Sequence, residues 1–242
     1  MGTRDQFPWT GNLDNTSCDG IIIRDNNFHK IKTNSTGAIG SHSTKQRIKN
    51  VEICGNTLDD VDCFYCLGGS ADINIHHNNG INVGSFVKLV TGSSGKMLNI
   101  NVNCNNIGGR ISWGDKEVRD ERFIDGSSEE DVVDGIIVSN NIISNFRGHA
   151  IAFTGHSTII SGNKIAGVNR SGVYLYGVTD FTVTGNVVLD WDKINQGYSA
   201  IQWGGNSSKP TGYGAIVGNK GKIAIKDNVV AGTIAETGNC TE

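Results

Sequence analysis

One phrase returns from end to end of this 242-residue chain: an aliphatic, any residue, an aliphatic, two more residues, an asparagine, one residue and another apolar. It reads GIIIRDNNF at 20–28, NVEICGNTL at 50–58, DINIHHN at 72–78, NINVNCNNI at 99–107 and GIIVSNNII at 135–143. It continues as STIISGNKI at 157–165, DFTVTGNVV at 180–188 and KIAIKDNVV at 222–230. Asn26, Asn56, Asn78, Asn105, Asn141, Asn163, Asn186 and Asn228 hold the same place in it, at intervals of 30, 22, 27, 36, 22, 23 and 42 residues. A unit of 22 therefore recurs, and the longer intervals carry insertions. A period in the twenties marks a solenoid, and alternation within each unit makes its elements strands. Each unit is one coil, and a turn asparagine repeated from coil to coil is placed to bond its equivalents above and below.

The repeated phrase resembles that of right-handed parallel β-helix proteins: pectate-lyase-like polysaccharide enzymes, phage tailspikes and phage appendages. The resemblance implies an all-β, single-stranded right-handed parallel β-helix of about eight coils over residues 20–232. Residues 1–19 then form a lead-in or end cap, with Phe7, Pro8 and Trp9 available to cover the open end, and 233–242 a C-terminal tail. A trimer about the long axis is the assembly the resemblance implies.

Composition supports one elongated domain. Glycine is abundant, 33 residues, where corners are tight, and only 2 prolines stand in a chain whose sheets need every donor. A net charge of −3 without a basic, aromatic-rich stripe argues against a nucleic-acid partner. No apolar run is long enough to span a membrane, and GTRDQFPWTG after Met1 lacks a signal peptide's apolar core. Synthesis in a reducing cytoplasm follows, with the six cysteines read as free thiols. Cys63 and Cys66 form a CxxC with no second pair at metal-site spacing.

Positions two and five after each asparagine read as inward: Leu58 and Val61, Ile143 and Phe146, Ile165 and Val168, Val188 and Trp191. A further strand follows in each coil: GAIGSH at 37–42, FYCLGG at 64–69, FVKLVTG at 86–92, RISWGD at 110–115, HAIAFTGH at 149–156, GVYLYG at 172–177 and SAIQWGG at 199–205. Its alternation turns Lys88, Ser112, Ala152, Thr154, Tyr174, Tyr176 and Gln202 outward. Two long insertions, 115–131 and 206–221, leave just after this strand, three coils apart. They read as walls roughly 14 Å apart at about 4.8 Å per coil.

The floor between those walls is the expected binding site. Tyr174, Tyr176, Thr154 and His149, with Tyr213 from the second wall, are its expected sugar contacts, since tyrosines offer flat apolar faces. Asp115 and Glu117 of the first wall, with His156, are the expected proton-transfer groups. A solvated loop explains the eight acids and three bases of 115–131 equally well. The acidic turns Asp59, Asp60, Asp62 and Asp190, Asp192 are either Ca²⁺ ligands or solvated corner residues. No other metal or cofactor is expected. His76 and His77, being adjacent on a strand, face opposite ways and read as surface or ladder residues. His42 carries no assignable role.

Family motifs act mainly by exclusion. A polygalacturonase-type enzyme shows an NTD, a DD, a GHG and an RIK in that order, whereas Arg47, Ile48 and Lys49 precede both NTLDD at 56–60 and RGHA at 147–150. The resemblance thus implies a virion tailspike or appendage domain, working with other tail proteins, that binds and depolymerises a bacterial surface glycan: capsule, O-antigen or teichoic acid. A secreted polysaccharide lyase or hydrolase and a non-enzymatic shaft or adhesin are the alternatives.

Overall fold

The structure is a computed structural model that describes residues 18–32, 37–40, 48–90, 97–110, 121–126, 133–205, 211–228 and 234–241. It is a parallel β-helix whose described elements are all strands. Each coil contributes to three columns. The first holds the strands that precede the asparagine, among them Ile48–Cys54, Ala71–His76, Met97–Asn103 and Val133–Ser139, each paired in parallel with the next. The second holds the short strands after the asparagine, such as Thr57–Val61 and Asn79–Val83. The third holds Cys63–Leu67, Ser85–Leu89, Ile124–Gly126 and Ile201–Gly205. Two long strands, Ile151–Ser161 and Val173–Thr184, run from the third column round a corner into the next coil's first column. They make one sheet of both columns. At that corner Gly155 has no substitute: a Cβ there would lie 2.4 Å from the carbonyl oxygen of Val133.

The asparagine ladder is continuous. From Asn26 through Asn56, Asn78, Asn105, Asn141, Asn163, Asn186 and Asn219 to Asn239, each residue donates its backbone N–H and its Nδ2–H to Oδ1 of the next. From Asn56 onward, Nδ2 also donates to a first-column carbonyl of the coil on the other side, as Asn163 does to Val138 at 2.8 Å. The amide thereby spans three coils, and Asn56 to Asn219 are about 1% exposed or less. The residue before each asparagine has a left-handed backbone, with φ between 53° and 65° at Asp25, Gly55, His77, Cys104, Asn140, Gly162, Gly185, Gly218 and Gly238. Glycine, asparagine and aspartate suit it.

The interior follows the alternation. Leu58, Val61, Ile143, Phe146, Ile165, Val168 and Val188 are buried, and Trp191 packs against the core. Phe28, Phe64, Phe86, Phe123 and Phe146 form a file along the axis, with successive ring centroids 5.2, 5.4, 4.9 and 6.3 Å apart.

Four expectations are corrected. KIAIKDNVV is not an eighth first-column phrase: Ile223–Asn228 pairs with Ile201–Gly205 in the third column, so Asn228 is off the ladder. Its place belongs to Asn219, because Gly212–Val217, read as part of an insertion, is a first-column strand paired with Val173–Thr184. The expected tail continues the helix, with Ile234–Thr237 paired to Gly212–Val217 and Asn239 on the ladder. The third-column strand of the fourth coil is Ile124–Gly126, between Ser85–Leu89 and Ile151–Ser161, and not RISWGD. The long segment 111–123 therefore precedes that strand instead of following it. Ser112 lies outside the described residues, as do the lead-in 1–17 and His42.

Candidate functional site

The corner between the second and third columns carries four arginines over three successive coils: Arg110 and Arg122 in one, Arg147 in the next and Arg170 in the one after. Arg110 contacts Asp62, lies 3.6 Å from Asp60 and donates to Glu121 at 3.2 Å. Arg147 lies 3.6 Å from the other oxygen of Glu121, and Arg122 donates to Asp125 at 3.0 Å. Lys32 closes the network at Asp60, 2.5 Å away. The hydrogen bond from Lys32 holds the Asp60 carboxyl below the usual range. Burial pushes Glu121 up, and the two guanidiniums only partly offset this. At Arg110 burial opposes the charge, but Asp62, Glu121 and Asp60 raise its pKa.

Beyond Arg147 the same face becomes aromatic. Tyr174 follows Asp125 and Ala152 along one rung and precedes Gln202. Two coil spacings separate Tyr174 from Asp125, roughly 10 Å. The His149 ring stacks on Tyr174 with centroids 4.5 Å apart and planes 17° from parallel. Tyr198 meets His149 edge-on at 5.4 Å, and Tyr176 lies 6.1 Å from Tyr174. The Arg170 guanidinium sits 5.7 Å over the Tyr198 ring. The Ser171 backbone N–H donates to Nδ1 of His149 at 3.2 Å, which places the imidazole proton on Nε2 in the neutral ring. The Ser171 hydroxyl donates to Gln202 at 2.8 Å. Trp191 donates to the carbonyl of Tyr198 at 3.2 Å, so the inward Trp191 also anchors the loop that brings Tyr198 to the face.

Tyr174 and Tyr176 are thus brought together on an outward face, half-buried, with Tyr198 beside them. His149 and Thr154 are not surface groups. They are 3% and 1% exposed, because an outward position next to large side chains on the neighbouring coil is covered by them. His149 backs Tyr174, and Gln202 at 5% exposure is buried for the same reason. His156 stands across the corner, in the first column, where its Nδ1 bonds the Thr179 hydroxyl. Tyr213, 58% exposed, belongs to the first-column strand Gly212–Val217 and not to a wall beside the tyrosines, while 206–210 lie outside the described residues. Asp115 and Glu117 lie outside the described residues.

The acidic turns already have protein partners. Asp60 and Asp62 pair with Lys32 and Arg110, Asp59 with His29 at 3.0 Å, and Asp190 with Lys193 at 2.8 Å. Asp192 accepts from the backbone N–H groups of Gln196 and Gly197 at 2.9 Å. Cys54, Cys63, Cys66, Cys104 and Cys240 are free thiols. Burial raises Cys63 and Cys66, which marks the CxxC as packing.

Such a strip has two capacities. Half-buried ring faces beside a guanidinium suit sugar rings and their acidic substituents. A carboxyl whose burial favours its protonated form is a candidate proton donor.

Among solved structures, the tailspike protein of Acinetobacter baumannii phage AM24 shares this fold, with a TM-score of 0.58 over 96% of this chain and 11% identity. The chain spans 45% of that protein's length. No family model matches the sequence, and no curated protein does. The fold is therefore a parallel β-helix of the tailspike type.

Proposed function

We propose that this chain is the β-helical domain of a phage tailspike or related tail appendage, and that it binds a bacterial surface glycan along the outward face of the third column. The observation that carries the reading is the cluster of Tyr174, Tyr176 and Tyr198 with Arg170, held from behind by His149 and Trp191. Capsule, O-antigen and teichoic acid are the glycan classes. A virion location, association with other tail proteins and a homotrimer about the long axis belong to the same reading.

The test is titration of the protein against purified capsular, O-antigen and teichoic-acid glycans. Binding to one class that falls in Tyr174→Ala and in Arg170→Ala, with an unchanged circular dichroism spectrum, supports the proposal. Binding that both variants retain removes the site. Light scattering on the complete gene product tests the trimer, which a monodisperse monomer excludes.

Cleavage is a second reading, favoured by the raised carboxyl of Glu121. Glu121 stands on the segment from which Asp115 and Glu117 were expected to act, and the reading assigns proton transfer to carboxyls of that segment. New reducing ends, or the unsaturated product of a lyase, in wild type but not in Glu121→Gln supports it. A glycan bound and left intact by the wild type reduces the domain to an adhesin.

A further inference from the structure

The outward face of the first column, away from the tyrosine strip, is mostly small or neutral. One rung runs Arg24, Cys54, His76, Asn103, Ser139, Ser161, Thr184, and its neighbour Ile22, Glu52, Asn74, Asn101, Ile137, Ile159. At one place three metal-ligand side chains converge. Glu52 Oε1 lies 3.1 Å from His76 Nε2 and 3.8 Å from Cys54 Sγ, and the three ligand atoms all fall within 4.8 Å of one another. A tetrahedral Zn²⁺ with ordinary bond lengths sets its oxygen about 3.4 Å from a nitrogen and about 3.6 Å from a sulfur. Both observed separations match within about 0.3 Å.

The other ring nitrogen of His76 has a partner that can orient it for a metal. His76 Nδ1 lies 2.8 Å from Nδ1 of His77. One of the two Nδ1 atoms carries the hydrogen of this bond. With the proton on His76, its Nδ1–H donates to His77 and its Nε2 lone pair faces Glu52 and Cys54, the tautomer a metal-binding histidine needs. His77 occupies the left-handed turn position, φ 54°, that other coils fill chiefly with glycine, aspartate or asparagine.

We propose that Glu52, Cys54 and His76 bind a borderline-soft divalent cation, Zn²⁺ foremost, with water as fourth ligand and His77 orienting His76. Cys54 binds as thiolate, its proton passing to solvent, while Glu52 binds as carboxylate and His76 through neutral Nε2. Burial first, then Glu52 and Asp25, push the free thiol's pKa up, and Arg24 acts the other way. An added cation reverses that balance. Bound metal would clamp the first-column strands Ile48–Cys54 and Ala71–His76 from outside.

The experiment is Zn²⁺ calorimetry and Co²⁺ absorbance on the full reduced chain, with Mg²⁺ as control. Expected are one Zn²⁺ per chain and a thiolate-to-cobalt charge-transfer band that Cys54→Ser abolishes. The band persists in the Cys104→Ser/Cys240→Ser variant, which removes two exposed thiols. His76→Ala weakens Zn²⁺ at least tenfold, and His77→Ala about 10–100-fold, the range for loss of an orienting partner. Should Cys54→Ser misfold, Glu52→Gln and His77→Ala keep the thiol and test the same site. No thiolate band, a band surviving Cys54→Ser, or Zn²⁺ affinity unchanged in His76→Ala each overturns the proposal and leaves Glu52–His76 an ordinary ion pair.

Discussion

Two of the three corners of each coil solve the same problem in opposite ways. At the first, between the first and second columns, one residue type makes the same bonds in every coil from Asn56 to Asn219. At the second, between the second and third columns, no two coils agree: Asp60 and Asp62 meet Arg110, then Glu121 meets Arg147, then His149 meets Tyr174 and Tyr198. Repetition at the first turn fixes register and excludes water. With register fixed there, the second turn is free to vary, and in a solenoid that freedom is what a ligand surface is made from.

The comparison breaks most readily at the ladder. Asn163→Leu removes the acceptor of Asn141's backbone N–H and Nδ2–H and leaves the Val138 carbonyl without its amide. Each buried group left unpaired costs about 1–3 kcal/mol, and several are left at once. Denaturant unfolding should show a greater loss for Asn163→Leu than for any change at the second turn. Arg110→Ala comes next, at about 1.5–3 kcal/mol for hydrogen bonds to charged partners. It removes the nearest guanidinium from Asp62 and Glu121, which are 24% and 13% exposed, and leaves them the longer contacts to Lys32 at 3.7 Å and Arg147 at 3.6 Å. A loss at Arg110 equal to that at Asn163 would mean that the irregular corner carries the fold as much as the ladder does.

This contrast also explains what could be read from the sequence. The ladder was legible because the chemistry repeats, and where it was misread the phrase itself was ambiguous. Ile223–Asn228 fits the pattern because third-column strands alternate too. The true rung at Asn219 was hidden because the aliphatic place five residues earlier is Gly214. A Cβ there would meet the Phe181 ring at 2.6 Å, so the neighbouring coil fills the slot. At Asn239 the apolar place three residues earlier is Glu236, which accepts from the Trp203 indole at 2.8 Å. The site was legible only in part. Alternation turned Tyr174 and Tyr176 outward, but it says nothing of Arg170 and Tyr198, which reach the face from loops. Nor does it reveal that His149 and Thr154 are roofed over. The available signal was an arginine before the third strand in successive coils, at 122, 147 and 170.

A smaller effect sharpens the comparison from the ligand side. Tyr174→Ala loses its stack on His149 and one ring face for a sugar. The expected loss in glycan affinity is about 0.5–1.5 kcal/mol, the worth of an aromatic pair, seen as a weaker Kd by calorimetry with far less change in unfolding midpoint than Asn163→Leu causes. A large fall in stability would place Tyr174 with the ladder, as structure and not as surface.

The smallest expected effect is one of pH, and it separates the charged corner from the uncharged ladder. Asp60 is held below the usual carboxylate range, first by the hydrogen bond from Lys32 and also by Arg110. A depressed folded pKa contributes stability that is present above the unfolded value, near 4, and is lost as pH falls through the folded value. Glu121 has the opposite sign. Burial raises it, so its contribution is present below the unfolded value and lost as pH rises through the folded one. The two slopes have opposite signs and fall on either side of the ordinary carboxylate range, Asp60's below it and Glu121's above it. The difference between wild type and Asp60→Asn isolates the first. Lys32 and Asp60 are 57% and 32% exposed, so the pair is worth at most about 1 kcal/mol. Urea unfolding of both proteins should show a constant gap at neutral pH that closes below about pH 4, and that raised salt narrows. A gap that persists at the acid end would show that Asp60 acts through its shape at the turn, where its φ is 57°, and not through its charge.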